Sequence, residues 1–300
     1  MAQQLRSLKR RIESVKSTQK ITSAMELIAS SRIIRAQQRV EAARPYAETI
    51  RRLMASVAAN AAGLQHPLLT ERDEVRSVGS IIVTSDRGLA GAYNSNVIRA
   101  SERDMRAHDK DAKLYLIGKK AVSYFRFRGY SFDDSWTGIS EQPRIEDARR
   151  VADAAMGAYS EEDVDQVRMT FTRFESMLVQ RPTVVQLLPL PRAAVEHEER
   201  DRSAGPQFEF EPGPEGILDA LVPRYIEALV YQGMLESAAS EHAARRRAMK
   251  AATDNAEELL ETLTRGYNQA RQAEITTEIM EVVGGAEALA AGAGRPDRSS

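Results

Sequence analysis

Residues 5–61 read LRSLKRRIESVKSTQKITSAMELIASSRIIRAQQRVEAARPYAETIRRLMASVAANA, and apolar side chains recur there in alternating steps of three and four. The positions are Leu5, Leu8, Ile12, Val15, Gln19, Thr22, Glu26, Ala29, Ile33, Ala36, Val40, Ala43, Ala47, Ile50, Met54, Val57 and Ala61, fourteen of the seventeen apolar. A 3.5-residue repeat of this length describes a coiled-coil seam with a left-handed supercoil. The three polar positions are consecutive, and beside them the apolar row moves to Ile21, Ala24, Met25 and Ile28, so the buried line is expected to shift there. Pro45 removes a backbone donor and is expected to kink or interrupt the helix near residues 41–45. Sixty helical residues span roughly 90 Å, longer than a compact domain is wide.

The other end of the chain carries a matching pattern. Leu221, Ala228, Tyr231, Leu235, Ala238, Met249, Ala252, Ala256, Leu259, Leu263, Ala270, Ala273 and Met280 fall on one register, interrupted by Arg224, His242, Arg245 and Gly266. The many alanines let two helix axes approach closely. Pro212-Gly213-Pro214 marks the entry, and Gly284-Gly285 the expected exit. Charge sorts with position: residues 1–60 carry 12 basic and 4 acidic side chains, residues 213–291 carry 7 and 13. Opposite charge on two amphipathic ends favours their pairing, provided that the middle is a compact insert.

From residue 76 the period changes. Val78–Thr84 and Lys113–Gly118 are short branched apolar runs, as in buried strands, and Gly129–Phe132 reads as an edge strand. Val164–Phe174 and Thr183–Leu190 complete the set, with a further short strand at 208–212. Helices are expected from Asn94, as a cap, to Ala107, over 119–128 and from Ile145 to Tyr159. The expected fold is therefore α+β: a long antiparallel two-helix coiled coil formed by the N-terminal (1–61) and C-terminal (213–289) helices. It flanks a central Rossmann-like α/β domain (76–212), with a flexible tail at 290–300.

Composition excludes several kinds of chemistry. The 300 residues include no cysteine, which removes disulfides, thiol nucleophiles and thiolate metal sites. His66, His108, His197 and His242 lack metal-ligand spacing. No apolar run reaches the ~20 residues of a membrane span, and MAQQLRSLKRR is no secretory signal, so a soluble, cytoplasmic protein is expected. The net charge of −1 argues against a surface built for nucleic acid. The turn Asp86-Arg87-Gly88-Leu89-Ala90-Gly91 follows a strand and precedes a helix, yet it matches neither nucleotide-loop spacing. There Gly88 and Gly91 are expected to permit a tight turn, with Asp86 and Arg87 pairing locally. Trp136 reads as a loop residue. No catalytic constellation and no cofactor site stand out.

Three segments together resemble one family: STQKITSAMELIASSR (17–32), TSDRGLAGAYNSN (84–96) and ARQAEITTEIMEVVGGAEAL (270–289). They are similar to the gamma subunits of F-type ATP synthases, whose C-terminal signature is matched by Ile275, Thr276, Glu278, Glu281, Gly285 and Ala286. The resemblance implies a rotary shaft that couples proton-driven rotation of a c-ring to sequential change at beta-subunit catalytic sites and supplies no catalytic residue. The implied partners are three alpha and three beta subunits, an epsilon subunit and the c-ring. The implied location is the cytoplasmic side of the cell membrane, as a peripheral protein.

Residue by residue, the resemblance assigns Met25 to a contact with the moving beta lever. It assigns Arg271, Gln272, Thr276 and Glu278 to the inner surface of the enclosing ring. Arg32, within the matched motif, and Arg10, Arg11 and Arg35, from their charge and helix placement, are expected to meet acidic loops of beta. Asp86, Arg87 and Gly88 match the foot-domain motif, for which a structural role is expected. Ser23 stands where lysine is common in the family, and the missing cysteines exclude dithiol regulation.

Overall fold

The computed structural model describes residues 2–60, 66–108, 111–190 and 214–293. Helix α1 (Ala2–Asn60) is followed by β1 (Ser77–Val83), α2 (Tyr93–His108), β2 (Asp111–Ile117), α3 (Lys119–Phe127) and β3 (Asp134–Trp136). Then come α4 (Ile145–Ser160), β4 (Gln166–Phe174), β5 (Gln180–Leu188) and α5 (Pro214–Ala293). The chain divides into two compact units, one of residues 1–26 and 249–300, the other of residues 27–248.

In the larger unit a five-stranded sheet has the order β3-β2-β1-β4-β5. The first four strands are parallel, and β5 pairs antiparallel with β4. The order 3-2-1-4 is that of a Rossmann half-sheet, closed by one antiparallel edge strand. Strand residues alternate between two buried faces. Ile82, Leu114 and Leu116 pack with Val97 and Ile98 of α2 and with Ala121 and Phe125 of α3. Ile81, Val83, Ile117, Val167 and Met169 pack with α4 and with Leu218, Val222, Ile226, Val230 and Met234 of α5. Ile50 and Met54 of α1 join that second core. At Gly233 α5 comes close to the sheet, since a Cβ there would lie 2.5 Å from the end of the Met169 side chain.

The α1 seam keeps its spacing and does not shift. Every position of the register from Leu5 to Met54 is buried or half-buried, Gln19, Thr22 and Glu26 included. The Thr22 hydroxyl lies 2.7 Å from that of Thr253 on α5, so a polar pair replaces an apolar one without leaving the line. The apolar residues beside it point out: Ile21 is 58% and Ile28 53% exposed. On α5 the register holds through Ala256 and again at Leu263 and Ala270, while Leu259, Ala273 and Met280 are exposed. A 3.5-residue repeat does not divide a 3.6-residue turn, so a register read along one stripe drifts off the covered face.

Helix ends differ from expectation in the same direction. Helix α1 runs unbroken through Pro45, whose carbonyl accepts the Thr49 hydroxyl at 2.8 Å. One missing backbone bond is outweighed by the buried side chains Ile50 and Met54 beyond it. Helix α5 passes Gly284 and Gly285 and continues to Ala293. A glycine costs about 1 kcal/mol in a helix, and the surrounding alanines are the best helix formers. The third strand lies at Asp134–Trp136 rather than 129–132, which places Trp136 in the sheet, packed against the core. The strand expected at 208–212, the break at Pro212-Gly213 and residues 294–300 of the tail lie outside the described residues.

Candidate functional site

The turn after β1 is built from its own side chains. Asn94 is not a cap. It sits inside α2, and its Oδ1 accepts the Ser85 amide at 2.9 Å, tying the turn to the helix that follows it. The residue that needs the left-handed region is Leu89 (φ 61°), exposed at the tip, with Gly91 (φ 55°) after it; Gly88 does not. On the next strand, Gly118 (φ 90°) permits β2 to turn against β1, because a Cβ there would lie 2.3 Å from the Thr84 carbonyl oxygen.

Asp86 and Arg87 do not pair with each other. Asp86 binds backbone instead: its carboxylate accepts the amides of Lys119 and Ser140, each at 3.1 Å, while its own amide donates to the Ser140 hydroxyl at 2.9 Å. Burial opposes ionisation of Asp86, but the amides of Gly138, Ser140 and Lys119 outweigh it and hold the carboxyl below its ordinary range. Asp86 thus fixes the loop after β3 to the carboxyl edge of the sheet. Arg87 points the other way, to Glu141 at 3.6 Å.

Glu141 collects cations from three directions. One oxygen meets Arg32 of α1 at 2.5 Å, and the other faces Arg87 at 3.6 Å and Arg245 of α5 at 3.8 Å. Arg245 is buried, pairs with Glu241 at 2.7 Å, and donates to the Gly88 carbonyl at 3.3 and 3.4 Å. Burial pushes the Glu241 carboxyl up to about 7, with Arg245 opposing. Burial and the Arg245 charge bring the His242 imidazole down to about 4, so it is neutral at physiological pH. Arg32, Arg35, Arg39 and His242 share a pocket of about 140 Å³ with Glu141 and the apolar side chains of α5. None of these groups forms a nucleophile–base pair, and no group of three or more metal-ligating side chains is found among the described residues.

The remaining candidates are helix-surface residues. Arg10, Arg11, Arg35, Arg271, Gln272, Thr276 and Glu278 are exposed, and Met25 is half-buried. Thr276 turns its hydroxyl back to the Gln272 carbonyl at 2.9 Å. Arg32 is not a solvated helix face, since Glu141 holds it. The structure therefore brings Arg32, Arg87 and Gly88 into one network. Met25, Arg10, Arg11 and the four α5 residues belong to the other unit.

Glu141, Glu241, His242 and Arg245 belong to no motif. The signal for the α5 residues is the interruption of the seam at His242 and Arg245, since a polar side chain on an otherwise apolar line must find a buried partner, and Glu141 leaves none. Among the described residues no helix is long and apolar enough to cross a membrane.

The chain matches the family model described as ATP synthase over residues 4–289. The ATP synthase gamma chain of Acidothermus cellulolyticus is 51% identical, covering 97% of this chain and 99% of that one. The gamma chain of a Parafrankia species is 50% identical, covering 98% and 100%. Among solved structures, a chain of the Euglena gracilis mitochondrial ATP synthase superposes with a TM-score of 0.66 at 17% identity, covering 100% and 99%. A chain from the central stalk and c-ring of the Tetrahymena thermophila enzyme gives 0.58 at 23%, covering 77% and 99%. The structural likeness speaks for the fold, two long helices around an α/β domain. The family model spans residues 4–289 and the relatives match nearly the whole chain at about half identity, and on this the chain belongs to the ATP synthase gamma-chain family.

Proposed function

We propose that this chain is the central-stalk rotor of a proton-translocating F-type ATP synthase. It couples rotation of a c-ring to sequential conformational change in the catalytic sites of three beta subunits, and it supplies no catalytic residue. The observation that carries this reading is identity to gamma chains along the full length, both terminal helices included. The exposed apolar side chains agree with it. Ile21, Leu27, Ile28 and Ile34 on α1 lie outside the buried line, and Ile275, Ile279, Met280, Val282 and Val283 on α5 lie in a stretch where nearly every side chain is exposed. Such side chains fit an enclosing ring of alpha and beta subunits.

In this reading Met25 faces the moving lever of beta, and Arg10, Arg11 and Arg35 meet acidic loops, with Arg32 at the edge of that surface. Arg271, Gln272, Thr276 and Glu278 touch the inside of the ring. The α/β domain, with Asp86, Arg87 and Gly88, stands with an epsilon subunit on the c-ring at the cytoplasmic side of the cell membrane, as a peripheral part. A shaft acts on the beta sites only through contacts that differ with angle, because an effector shifts an equilibrium by its differential affinity alone. The chain's uneven charge supplies such a difference.

The test is ATPase activity of alpha and beta subunits reconstituted with and without this chain, with the chain alone as control. Sustained turnover that requires the full chain, and that is lost when residues 1–20 and 271–300 are removed, is the expected result. Unchanged turnover with no incorporation into the hexamer overturns the proposal.

A further inference from the structure

Apolar packing sets distance between helices but leaves them free to rotate and slide by small amounts, whereas a charge-assisted bond fixes particular atoms. Ile50 and Met54 anchor α1 in the core of the α/β domain, and Ile33 and Ala36 are buried farther up the same helix. Arg32 lies 18 residues from Ile50, about 27 Å along a helix. A second directional anchor at that distance fixes how residues 27–60 of α1 are seated on the α/β domain within the same unit.

We propose that Glu141 is that anchor, a single carboxylate that sets the rotational position of α1 and α5 against the α/β domain. Its two oxygens divide the work: one holds Arg32 on α1, and the other faces Arg87 on the β1 turn and Arg245 on α5. The second oxygen is buried and has no hydrogen-bond partner, so the two arginine charges alone hold it. Its own loop cannot yield, because Ser140 is doubly bonded to Asp86 and the amide of Arg144 donates to Asp147 at the start of α4. Without Glu141, Arg32 and Arg87 lose the carboxylate they face, and Arg245 is left with the Glu241 carboxylate. Arg245 keeps Glu241 and the Gly88 carbonyl, so α5 stays docked while α1 loses its directional contact. As a positioning residue, Glu141 carries torque between the sheet edge and the helices. That last role rests on the rotor reading; the geometric one does not.

The chain has no cysteine, so a pair introduced for spin labels is unique. Labels at Gln38→Cys on α1 and Glu146→Cys on α4, both exposed, report the setting in the full-length protein. Glu141→Gln is expected to broaden the distance distribution and shift its mean outward, and Arg32→Gln to do the same. Arg35→Gln, which lines the same pocket but is exposed and is not one of the three arginines facing Glu141, is expected to change neither. An unchanged distribution in folded Glu141→Gln, or in Arg32→Gln should the first variant not fold, overturns the proposal. So does equal broadening in Arg35→Gln. In the complex with alpha and beta, the torsional stiffness read from fluctuations of a bead on the α/β domain is expected to fall in Glu141→Gln while turnover persists. Unchanged stiffness overturns the torque role. If the unmodified chain supports no turnover, the rotor reading fails, and the label distances still decide the anchor.

Discussion

Two stretches of α5 share one helix and very different surroundings. Between Val222 and Ala243 only Arg224 is exposed, because the sheet covers one side and α1 another. Between Arg271 and Glu287 all but Glu274 and Thr277 are exposed, and Met280 and Val282 are 71% and 73% accessible. Apolar content does not separate the two, since the second stretch includes Ile275, Ile279, Val282 and Val283. The first stretch is stabilised by this chain itself, and the second presents apolar side chains that no described part of this chain covers.

The sharpest way to break that comparison is the same charge in both places. Ala239→Asp sets a carboxylate where nothing is accessible and is expected to cost about 3–5 kcal/mol, enough to abolish cooperative thermal unfolding of the isolated chain. Val282→Asp is expected to move the isolated chain by less than about 0.5 kcal/mol and to act only on assembly with alpha and beta. Equal destabilisation by the two, in calorimetry of the isolated chain, would show that the second stretch is covered by this chain as well.

A second experiment asks whether the buried stretch depends on its polar network. Arg245→Met strands Glu241 and is expected to destabilise by about 3 kcal/mol. Adding Glu241→Gln to it recovers most of the loss. Denaturant titration of the two single variants and the double closes the cycle, and additive losses would mean that Glu241 and Arg245 do not act as a pair.

The pH response sharpens the picture further. Glu241, with its ordinary value at 4.5 and its folded value at about 7, contributes stability that is fully present below 4.5 and is lost as pH rises through 7. His242, ordinarily 6.5 and about 4 when folded, contributes stability present above 6.5 and lost as pH falls through 4. Between 4.5 and 6.5 the two slopes, each about 1.4 kcal/mol per pH unit, oppose each other. Thermal midpoints of the unmodified chain are therefore expected to be nearly flat across that range. His242→Gln uncovers a decline from pH 4.5 to 7, and Glu241→Gln uncovers a rise from pH 4 to 6.5. Parallel profiles for the two variants would sink this assignment. A smaller loss than that of Arg245→Met is expected in the unit of residues 1–26 and 249–300, where Thr22→Val costs about 1 kcal/mol, and Thr22→Val with Thr253→Val together cost less than either alone.

The amino-acid sequence shows the architecture well and its polar joints poorly. The α1 seam, the strand runs and the helix spacing are periodic signals, and periodicity survives in a one-dimensional string. Pro45 and Gly284-Gly285 misled because local breakers cost a few kcal/mol at most, less than a long packed helix has in reserve. Ile21 and Ile28 misled because apolar character was read as burial within this chain. The three polar positions Gln19, Thr22 and Glu26 kept the seam, and Thr253, the partner that explains Thr22, lies 231 residues away. Glu141 could not be found at all. It is one glutamate in a loop, and its importance lies in Arg32, Arg87 and Arg245 arriving from three distant segments.

Gly284 and Gly285, inside α5, have nothing within 4 Å of where a side chain would begin. Their helical state therefore rests on backbone bonds alone, at roughly 2 kcal/mol less than two alanines would give. Whatever grips this segment must supply that ordering free energy out of its own contacts, and the grip is weaker by that amount. On the rotor reading proposed above, this surface is held and released once per turn, and loose tenure is an asset there: tighter packing at the same two residues would turn a bearing into a brake.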